Sequence, residues 1–286
     1  TYELGADDTV GSIAGSGAIN LGDQSLTVGG DNSSAEFSGV VSGTGGLAKR
    51  GTGTLTLSGS NSYSGPTSVT EGTLRVANTE ALGSSSSFSL DNGTLSFAVS
   101  SLGDASGSLV LGSNGGVLDV DVDQSLSLSG VVSGTGALTK TGGGQLSLSG
   151  ANTYTGSTAI NNGVLLVSGS LSDVTDVFIG EGSVYELGSS DRVGSIAGGG
   201  SIVLNTFRLT AGNELDTTFS GVMSGDGGFT KAGSGVLTFT GDNTYTGLTI
   251  VEEGELAVQG SGPTTATCTD GATSNVCEVT PEPEPE

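Results

Sequence analysis

Apolar and polar residues alternate along short segments of the chain, and a glycine separates one segment from the next. Val69, Leu74 and Val76 lie around Gly72 in one such segment, and polar residues fill the positions between them. Alternation with a period of two directs one side of a strand into a core and the other side into water. Glycine permits a positive φ or a close backbone approach at a bend. The pattern therefore predicts short β-strands joined by glycine corners.

The spacing of the glycine corners sets the length of one structural unit. The spacing from Gly72 to Gly93 is 93 − 72 = 21, and the spacing from Gly163 to Gly182 is 182 − 163 = 19. Units of about 19 to 23 residues are typical of β-helices, and no long stretch shows the helical period of about 3.6 residues. The sequence therefore predicts an all-β fold, a right-handed parallel β-helix (β-solenoid). A stack of antiparallel hairpins is the alternative, because corners do not reveal strand direction.

A longer repeat of 91 residues is superimposed on these short units. Gly39, Gly130 and Gly221 mark its frame, since 130 − 39 = 91 and 221 − 130 = 91. The copies cover 39–76, 130–167 and 221–258. A period of 91 corresponds to about four coils, which would place equivalent residues roughly 19 Å apart at about 4.8 Å per strand. Equivalent residues therefore cannot touch, and we expect a local requirement to explain their recurrence.

Several residue types recur at fixed positions of the repeat. We interpret the lysines as surface charges that are solvated or cap carbonyls. The asparagines are expected at tight left-handed corners, the tyrosines over those corners, and the glycines within the turns. The structural positions so identified are Lys49, Gly53, Asn61, Tyr63, Gly65, Gly72, Lys140, Gly144, Asn152, Tyr154, Gly156, Gly163, Lys231, Gly235, Asn243, Tyr245, Gly247 and Gly254.

Three regions follow from the pattern along the chain. Residues 1–260 form the predicted β-helix, 261–280 a small disulfide loop region, and 281–286 an extended Pro-Glu linker. Cys268 and Cys277 are expected to form a disulfide, because an even number of cysteines is typical of proteins in an oxidising compartment. On the chain-entropy model this bond would contribute about 2.5 to 3 kcal/mol to local stability.

Composition and charge exclude several classes of function. The chain has 286 residues, 53 of them glycine, and a formal net charge of −23. Such a charge disfavours nucleic acids and anionic membranes as partners. The absence of histidine from the sequence removes the usual base for a serine or cysteine nucleophile. Arg50, Arg75, Arg192 and Arg208 are scattered along the sequence and predict no basic cleft, so neither a catalytic site nor a cofactor is expected.

Asp119, Asp121 and Asp123 alternate with valines and are expected to project from one outward face. A solvated acidic face is the simplest interpretation. A Ca²⁺ site completed by other coils and a glycosidase that uses paired carboxylates are the alternatives. We expect no metal site.

The repeat resembles the passenger-associated transport repeat of bacterial autotransporters. The residues that carry the resemblance follow the pattern G-x-G-G-L-x-K-x-G-x-G-x-L-x-L-x-G-x-N-x-Y-x-G-x-T from Gly43 to Thr67, closed by Gly72 to Val76. Gly134 to Val167 and Gly225 to Val258 match nearly as well, with Phe229 in place of leucine.

The resemblance implies a β-helical passenger that is secreted or displayed on the surface of a Gram-negative bacterium. It further implies a C-terminal translocator β-barrel as the partner in the parent protein. The function it implies is a non-catalytic stalk that supports secretion and folding at the outer membrane. The alternatives are an adhesin for host cells, matrix or biofilm, acting on a ligand or by self-association, and a β-helix carbohydrate-active enzyme.

Overall fold

A computed structural model describes residues 1–85, 87–99, 104–105, 107–262, 266–269 and 271–277. The Pro-Glu linker at 281–286 lies outside these residues. All regular structure in the described part of the chain is β-strand, and every strand pairing there is parallel. The prediction of a parallel β-helix is confirmed, and the antiparallel alternative is wrong. No helix long and apolar enough to cross a bilayer occurs among these residues.

Successive strands turn around three faces, which we number in the order in which each coil visits them. Face 1 carries a seven-stranded sheet and then a five-stranded sheet. The first comprises β2 (Asp8–Val10), β4 (Leu26–Val28), β7 (Leu47–Lys49), β9 (Thr67–Val69), β11 (Ser87–Leu90), β14 (Ser108–Leu111) and β17 (Val132–Gly134). The second comprises β24 (Asp191–Val193), β27 (Leu209–Ala211), β30 (Phe229–Lys231), β32 (Thr249–Val251) and β34 (Thr267–Cys268).

Face 2 carries one unbroken sheet of thirteen strands. Its strands are β5 (Ala35–Phe37), β8 (Thr54–Leu57), β10 (Gly72–Val76), β12 (Gly93–Phe97), β15 (Gly116–Val120), β18 (Leu138–Thr141), β20 (Thr158–Ile160), β22 (Asp176–Ile179), β25 (Ser195–Gly198), β28 (Thr217–Phe219), β31 (Val236–Phe239), β33 (Glu255–Val258) and β35 (Thr273–Ser274). Each strand marks one coil, so the solenoid has about thirteen coils.

Face 3 carries two sheets, of three and seven strands. They comprise β1 (Tyr2–Glu3), β3 (Ala18–Asn20) and β6 (Val40–Ser42), followed by β13 (Asp104–Ala105), β16 (Ser125–Leu128), β19 (Gln145–Leu148), β21 (Val164–Val167), β23 (Val184–Leu187), β26 (Ser201–Val203) and β29 (Val222–Ser224).

Coil length varies little along the rod. The shortest step on face 2 runs from Glu255 to Thr273 (273 − 255 = 18), and the longest runs from Gly93 to Gly116 (116 − 93 = 23). Strand residues that point inward fall into registered columns, and their side chains form one continuous apolar core. On face 2, for example, Leu55, Leu74 and Leu95 stack directly above one another. The alternating sequence pattern therefore places its apolar residues as predicted.

The three copies of the long repeat do not all lie on the same faces. The equivalent residues Leu47 and Phe229 begin strands on face 1, whereas Leu138 begins a strand on face 2. Counting strands, β7 and β18 are separated by four and a third coils, and β18 and β30 by four and two-thirds coils. The spacing between copies is therefore longer than the expected four coils by a fraction of a coil. That fraction rotates the middle copy about the solenoid axis relative to the other two. The copies are well separated along the rod, so equivalent residues do not touch.

Candidate functional site

Each repeat lysine lies in an inward-facing column of the core. Lys140 is fully buried and pairs in register with Leu118 below it and Ile160 above it. Lys49 and Lys231 occupy comparable positions and are 1% exposed. The interpretation of these lysines as surface charges was wrong. An outward-facing residue was expected because lysine is usually solvated, although the alternation places Lys49 on the same side of the strand as the apolar Leu47.

Each of the three ammonium groups binds the equivalent three backbone carbonyls of its own copy. The part of the interpretation in which the lysines cap carbonyls therefore holds. Lys140 Nζ donates to the carbonyls of Thr141, Gly142 and Asn162 at 2.6, 2.7 and 3.2 Å. An ammonium has three protons, so these bonds satisfy it. The other copies repeat the arrangement, with Lys49 donating to Arg50, Gly51 and Glu71 and Lys231 donating to Ala232, Gly233 and Glu253.

Burial shifts the acid–base behaviour of these lysines. Desolvation lowers the pKa of Lys140 to about 8, and the nearby Asp119 carboxylate opposes this shift. Desolvation also lowers the pKa of Lys49 and of Lys231. Lys140 therefore keeps its charge near neutral pH, where three carbonyl dipoles face its ammonium. The lysines therefore join two successive coils at a corner and face the interior rather than a ligand.

Each repeat asparagine supplies the hydrogen-bond acceptor that the backbone of a further strand would provide at the end of a sheet. Asn152 is 4% exposed, and its Oδ1 accepts a bond of 2.9 Å from the Val132 amide in the last strand of the first face 1 sheet. Its Nδ2 donates to the carbonyls of Gly150 and Ser170. Asn61 and Asn243 accept equivalent bonds at the last strands of the face 3 sheets, from Val41 and Met223.

The expectation of a left-handed conformation at these asparagines was wrong. Positive φ values among the described non-glycine residues occur at Asn32, Asn92, Asp123 and Asn205, and at none of the repeat asparagines. The side chain, and not an unusual backbone, makes asparagine necessary here. One amide can accept from the coil below and donate to a carbonyl of its own or the next coil.

Each repeat tyrosine is buried beside the asparagine. Tyr154 is fully buried, and its hydroxyl pairs with Thr158 Oγ1 at 2.5 Å. Tyr63 and Tyr245 pair with Thr67 and Thr249 in the same way, at 2.8 and 2.7 Å. Burial raises the pKa of Tyr63 and of Tyr245 to about 12. The tyrosines are thus core side chains and form no exposed surface.

The repeat glycines are required by close packing between coils. A Cβ on Gly53 would lie 2.1 Å from the Ser33 carbonyl oxygen, and a Cβ on Gly65 would lie 2.3 Å from that of Gly45. Gly72 has a φ of 65° and is crowded as well. The equivalent glycines in the other copies have similar environments, namely Gly144, Gly156, Gly163, Gly235, Gly247 and Gly254.

A buried carboxylate that the sequence did not reveal lies between the second and third copies. Asp191 is 5% exposed and accepts bonds from the Tyr185 hydroxyl at 2.6 Å and the Leu171 amide at 3.1 Å. Burial raises the pKa of Asp191, and the hydrogen bonds oppose that shift. Its bond to an amide in the preceding coil matches the role of the repeat asparagines. The sequence signal for this pair is the recurrence of the same spacing at Tyr2 and Asp8, which also bond to each other.

The three alternating aspartates do not form one outward row. Asp119 accepts bonds from the hydroxyls of Ser96 and Thr141, and Asp121 pairs with Arg75 at 2.5 Å. Asp123 lies beyond the end of β15 and has a φ of 63°. The expectation of a single face was therefore wrong. Within the described residues, no three His, Cys, Asp or Glu side chains are grouped as metal ligands.

The two cysteines form the expected disulfide. Cys268 and Cys277 are bonded, with their Cα atoms 5.8 Å apart. β34 extends face 1 next to β32, and β35 extends face 2 next to β33. The disulfide region therefore continues the coil and holds its last turn closed.

Two arginines from successive coils share one groove on face 1. The groove has a volume of about 500 Å³ and begins where the five-stranded sheet begins. Arg192 lies directly beside Thr210 in the neighbouring strand. Two carboxylates, Asp173 and Asp191, line the same groove, so it is not the basic cleft that a polyanion would require. The groove is lined by Ser170, Asp173, Ser190, Asp191, Arg192, Arg208 and Thr210.

Comparison with known families identifies the repeat. The model of the family described as "Passenger-associated-transport-repeat" matches residues 47–76, 138–167 and 229–258. These matches contain the lysine, asparagine, tyrosine and threonine contacts described above. The matched ranges thus include the side chains that join one coil to the next.

The chain is also similar in sequence to two curated proteins. The chain is 37% identical to a protein named "Adhesin BmaC autotransporter" from Brucella suis biovar 1 (strain 1330), over 90% of this chain and 8% of that protein. It is 43% identical to an "Extracellular serine protease" from Serratia marcescens over 27% of this chain and 8% of that protein. The chain thus matches only a small part of the length of these relatives. No solved structure matches it significantly.

Three copies of the transport repeat, a continuous parallel solenoid and similarity to an autotransporter over nine-tenths of the sequence agree with one another. Such segments are secreted or displayed at the cell surface. The chain belongs to the family of autotransporter passenger domains that carry passenger-associated transport repeats.

Proposed function

We propose that this chain is a non-catalytic stalk whose coil-by-coil folding supports export across the outer membrane. The supporting observation is that the recurring contacts of the repeat join adjacent coils. Lys140, for example, donates to carbonyls of its own coil and to that of Asn162 in the next coil. A coil that emerges from the membrane can therefore fold onto the coil before it, which opposes its return through a narrow pore. A translocator β-barrel in the parent protein is the partner that this role requires.

The export role can be tested at glycines where close packing is decisive. A Cβ at Gly53, Gly144 or Gly235 would lie within 2.1 to 2.3 Å of a backbone oxygen in a neighbouring segment. Replacing all three with alanine should reduce surface display several-fold without reducing synthesis, because the coils can no longer seat on one another. The measurement is surface labelling of Gram-negative cells that express the autotransporter containing this chain.

Gly5 and Gly17 provide the matched control. A Cβ at either position would have no neighbour within 4 Å, and neither has a positive φ. The Gly5→Ala/Gly17→Ala variant should therefore be displayed like the wild type. Equal display of the control and the packing variant would contradict the export role.

Adhesion is a second candidate function. The relative from Brucella that matches 90% of this chain is named an adhesin. The outward Ser, Thr and Asn side chains offer a long polar surface for hydrogen bonding. If the chain adheres, the purified chain should compete with bacteria that display it for attachment to host cells, matrix or one another. Absence of competition would leave only the stalk role.

A catalytic role is less well supported. The similarity to a serine protease covers 83 aligned residues only. The chain contains no histidine, so it cannot form a Ser-His-Asp triad by itself. Asp191, the buried carboxylate, is already engaged by a tyrosine and two backbone amides. These observations favour a structural or binding segment.

A further inference from the structure

The second copy of the repeat differs from the other two at the residue before a corner glycine. Glu71 and Glu253 stand at this position in the first and third copies, and Asn162 stands there in the second. Asn162 is exposed and is followed by Gly163. An asparagine before glycine can lose its side-chain amide spontaneously, because glycine has no side chain to obstruct attack by its own backbone nitrogen. The second copy therefore has a candidate modification site where the others have a carboxylate.

The structure places the reacting groups of Asn162 and Gly163 side by side. The Gly163 amide donates to Asn162 Oδ1 at 2.8 Å, so its nitrogen lies beside Cγ, the atom that it must attack. Gly163 is only half-buried and lies one residue before β21 begins. Reacting atoms held this close are spared the conformational search that an unfolded chain must make.

The two other Asn-Gly pairs of the chain have a different arrangement. Asn92 and Asn114 are also exposed, but the glycines that follow them are buried. Gly93 lies in register with residues of both neighbouring strands on face 2. Gly115 donates its amide to the Gly112 carbonyl at 2.9 Å. Of the three pairs, all within the described residues, the second copy of the repeat thus contains the one in which the glycine amide is bonded to the asparagine side chain.

Lys140 adds an electrostatic contribution to the same peptide group. Its ammonium donates to the Asn162 carbonyl at 3.2 Å, and that carbonyl belongs to the peptide bond whose nitrogen must lose its proton. When the Gly163 amide ionises, negative charge spreads onto the carbonyl oxygen through amide resonance. A positive charge held at that oxygen stabilises the anion, as the donors of an oxyanion hole do. The lysine that joins two coils therefore also favours the ionisation on which the attack depends.

We propose that Asn162 is a site of spontaneous deamidation, in which the Gly163 backbone nitrogen is the nucleophile and the Lys140 ammonium stabilises its anion. Hydroxide takes the proton from the Gly163 nitrogen, which then forms a bond to Asn162 Cγ. The Cγ–Nδ2 bond breaks, and the leaving nitrogen takes a proton from water and departs as ammonia. Water opens the resulting cyclic imide at one of its carbonyls. The net reaction converts one amide and one water into a carboxylate and an ammonium ion.

The product gives the second copy the charge that the other two copies already have. Glu71 and Glu253 oppose the fall in the pKa of Lys49 and Lys231 that burial causes. A new carboxylate beside Lys140 acts in the same way and raises its pKa above the value of about 8. Deamidation therefore adds a negative charge to the surface and favours the charged form of a buried lysine.

The first test compares the three Asn-Gly pairs within the purified full chain. The folded chain is incubated at a pH just below the pKa of Lys140, and deamidation is followed by peptide mass spectrometry, with the Asn162→Asp variant as the standard for the product. Asn162 should react at least about fivefold faster than Asn92 or Asn114 in the folded chain. In urea the three rates should agree within about twofold, because only the local sequence then acts.

The second test removes the charge of the lysine. Lys140→Met should slow deamidation of Asn162 about tenfold, because the anion loses the positive charge at its oxygen. Lys49→Met is the matched control, since it removes the equivalent lysine from the first copy and should leave the rate at Asn162 unchanged. Loosening of the corner alone would speed the reaction, so the direction of the change separates the loss of charge from the loss of packing.

Two results would overturn the proposal. One is that Asn162 reacts no faster than Asn92 and Asn114 in the folded chain. The other is that folded Lys140→Met deamidates at the wild-type rate or faster. The comparison within the wild type needs no variant, so it decides the matter even if Lys140→Met does not fold. The export role is measured separately by surface display and does not depend on either result.

Discussion

At the scale of single residues, the buried lysines show what a repeat pattern can and cannot predict. The sequence indicated correctly that Lys49, Lys140 and Lys231 share one environment. It did not place that environment in the core, because a lysine among small polar residues is usually exposed. The side chain can be buried here because a glycine-rich corner directs three carbonyls toward one point. The same limit applies to Asp191, whose burial depends on a neighbouring coil.

Replacing Lys140 by methionine should alter both stability and its pH dependence. At neutral pH we expect Lys140→Met to lower the free energy of unfolding by about 2 kcal/mol, because three carbonyls at a partly buried corner lose this donor. The measurement is urea unfolding between about pH 7 and pH 9.5, with Arg50→Met as an exposed control that should retain wild-type stability.

The sign of the pH effect follows from the pKa of Lys140, which is about 8 in the folded protein and about 10.5 when unfolded. Between these values the unfolded chain binds more protons, so the free energy of unfolding of the wild type should rise with pH. The rise should be on the order of 1 kcal/mol per pH unit, and Lys140→Met should lack this contribution. Identical pH slopes in the two proteins would contradict the buried charge.

At the scale of elements, each repeat contains a segment without regular structure that takes the place of a strand on one face of the solenoid. The segments that contain Asn61, Asn152 and Asn243 follow the last strand of a sheet in each case. Alternation and glycine spacing predicted the flanking strands well, because inward and outward positions differ in polarity. The interruption could not be predicted, since a side-chain amide that substitutes for a backbone partner leaves no periodic signal.

Removing one of these amides should destabilise the coil around it. Asn152→Ala deprives the buried Val132 amide of its acceptor, while the carbonyls of Gly150 and Ser170 keep a backbone donor, and should lower the free energy of unfolding by about 1 to 3 kcal/mol. Asn161, which is exposed, provides the control, and Asn161→Ala should change stability by less than about 0.5 kcal/mol. Urea unfolding measures both. Hydrogen exchange should show faster exchange of the Val132 amide, and an unchanged rate would count against the capping role.

At the scale of the whole molecule, the long repeat and the coil are out of phase. Copy two is rotated by one face relative to copies one and three, yet it keeps the same lysine, asparagine and tyrosine contacts. The repeat therefore depends on the coils next to it and not on the face it occupies. The sequence predicted the rod and its coil length. The rotation was missed because small differences in length accumulate from coil to coil, and each length depends on corner geometry.

Because the contacts of the repeat are the same whichever face it occupies, we predict that one whole 91-residue period can be deleted without unfolding the solenoid. Deleting residues 47–137 joins Gly46 to Leu138, which is equivalent to Leu47, so β18 takes the place of β7 above β4. The downstream coils should turn as one body by a third of a coil and remain folded. The rod should shorten by about 21 Å, which is four and a third coils at about 4.8 Å each. Small-angle X-ray scattering measures this length.

Deleting one residue more, 47–138, provides a control that differs only in phase. Thr139 would then occupy the inward position of Leu47, and Lys140 would point outward. A shift of one residue exchanges the two sides of a strand, so polar groups would enter the core at the junction. We expect this variant to lose its single cooperative unfolding transition in circular dichroism, while the deletion of a whole period keeps it. If both deletions unfold alike, the coils are not held by the registered contacts on which the export role depends.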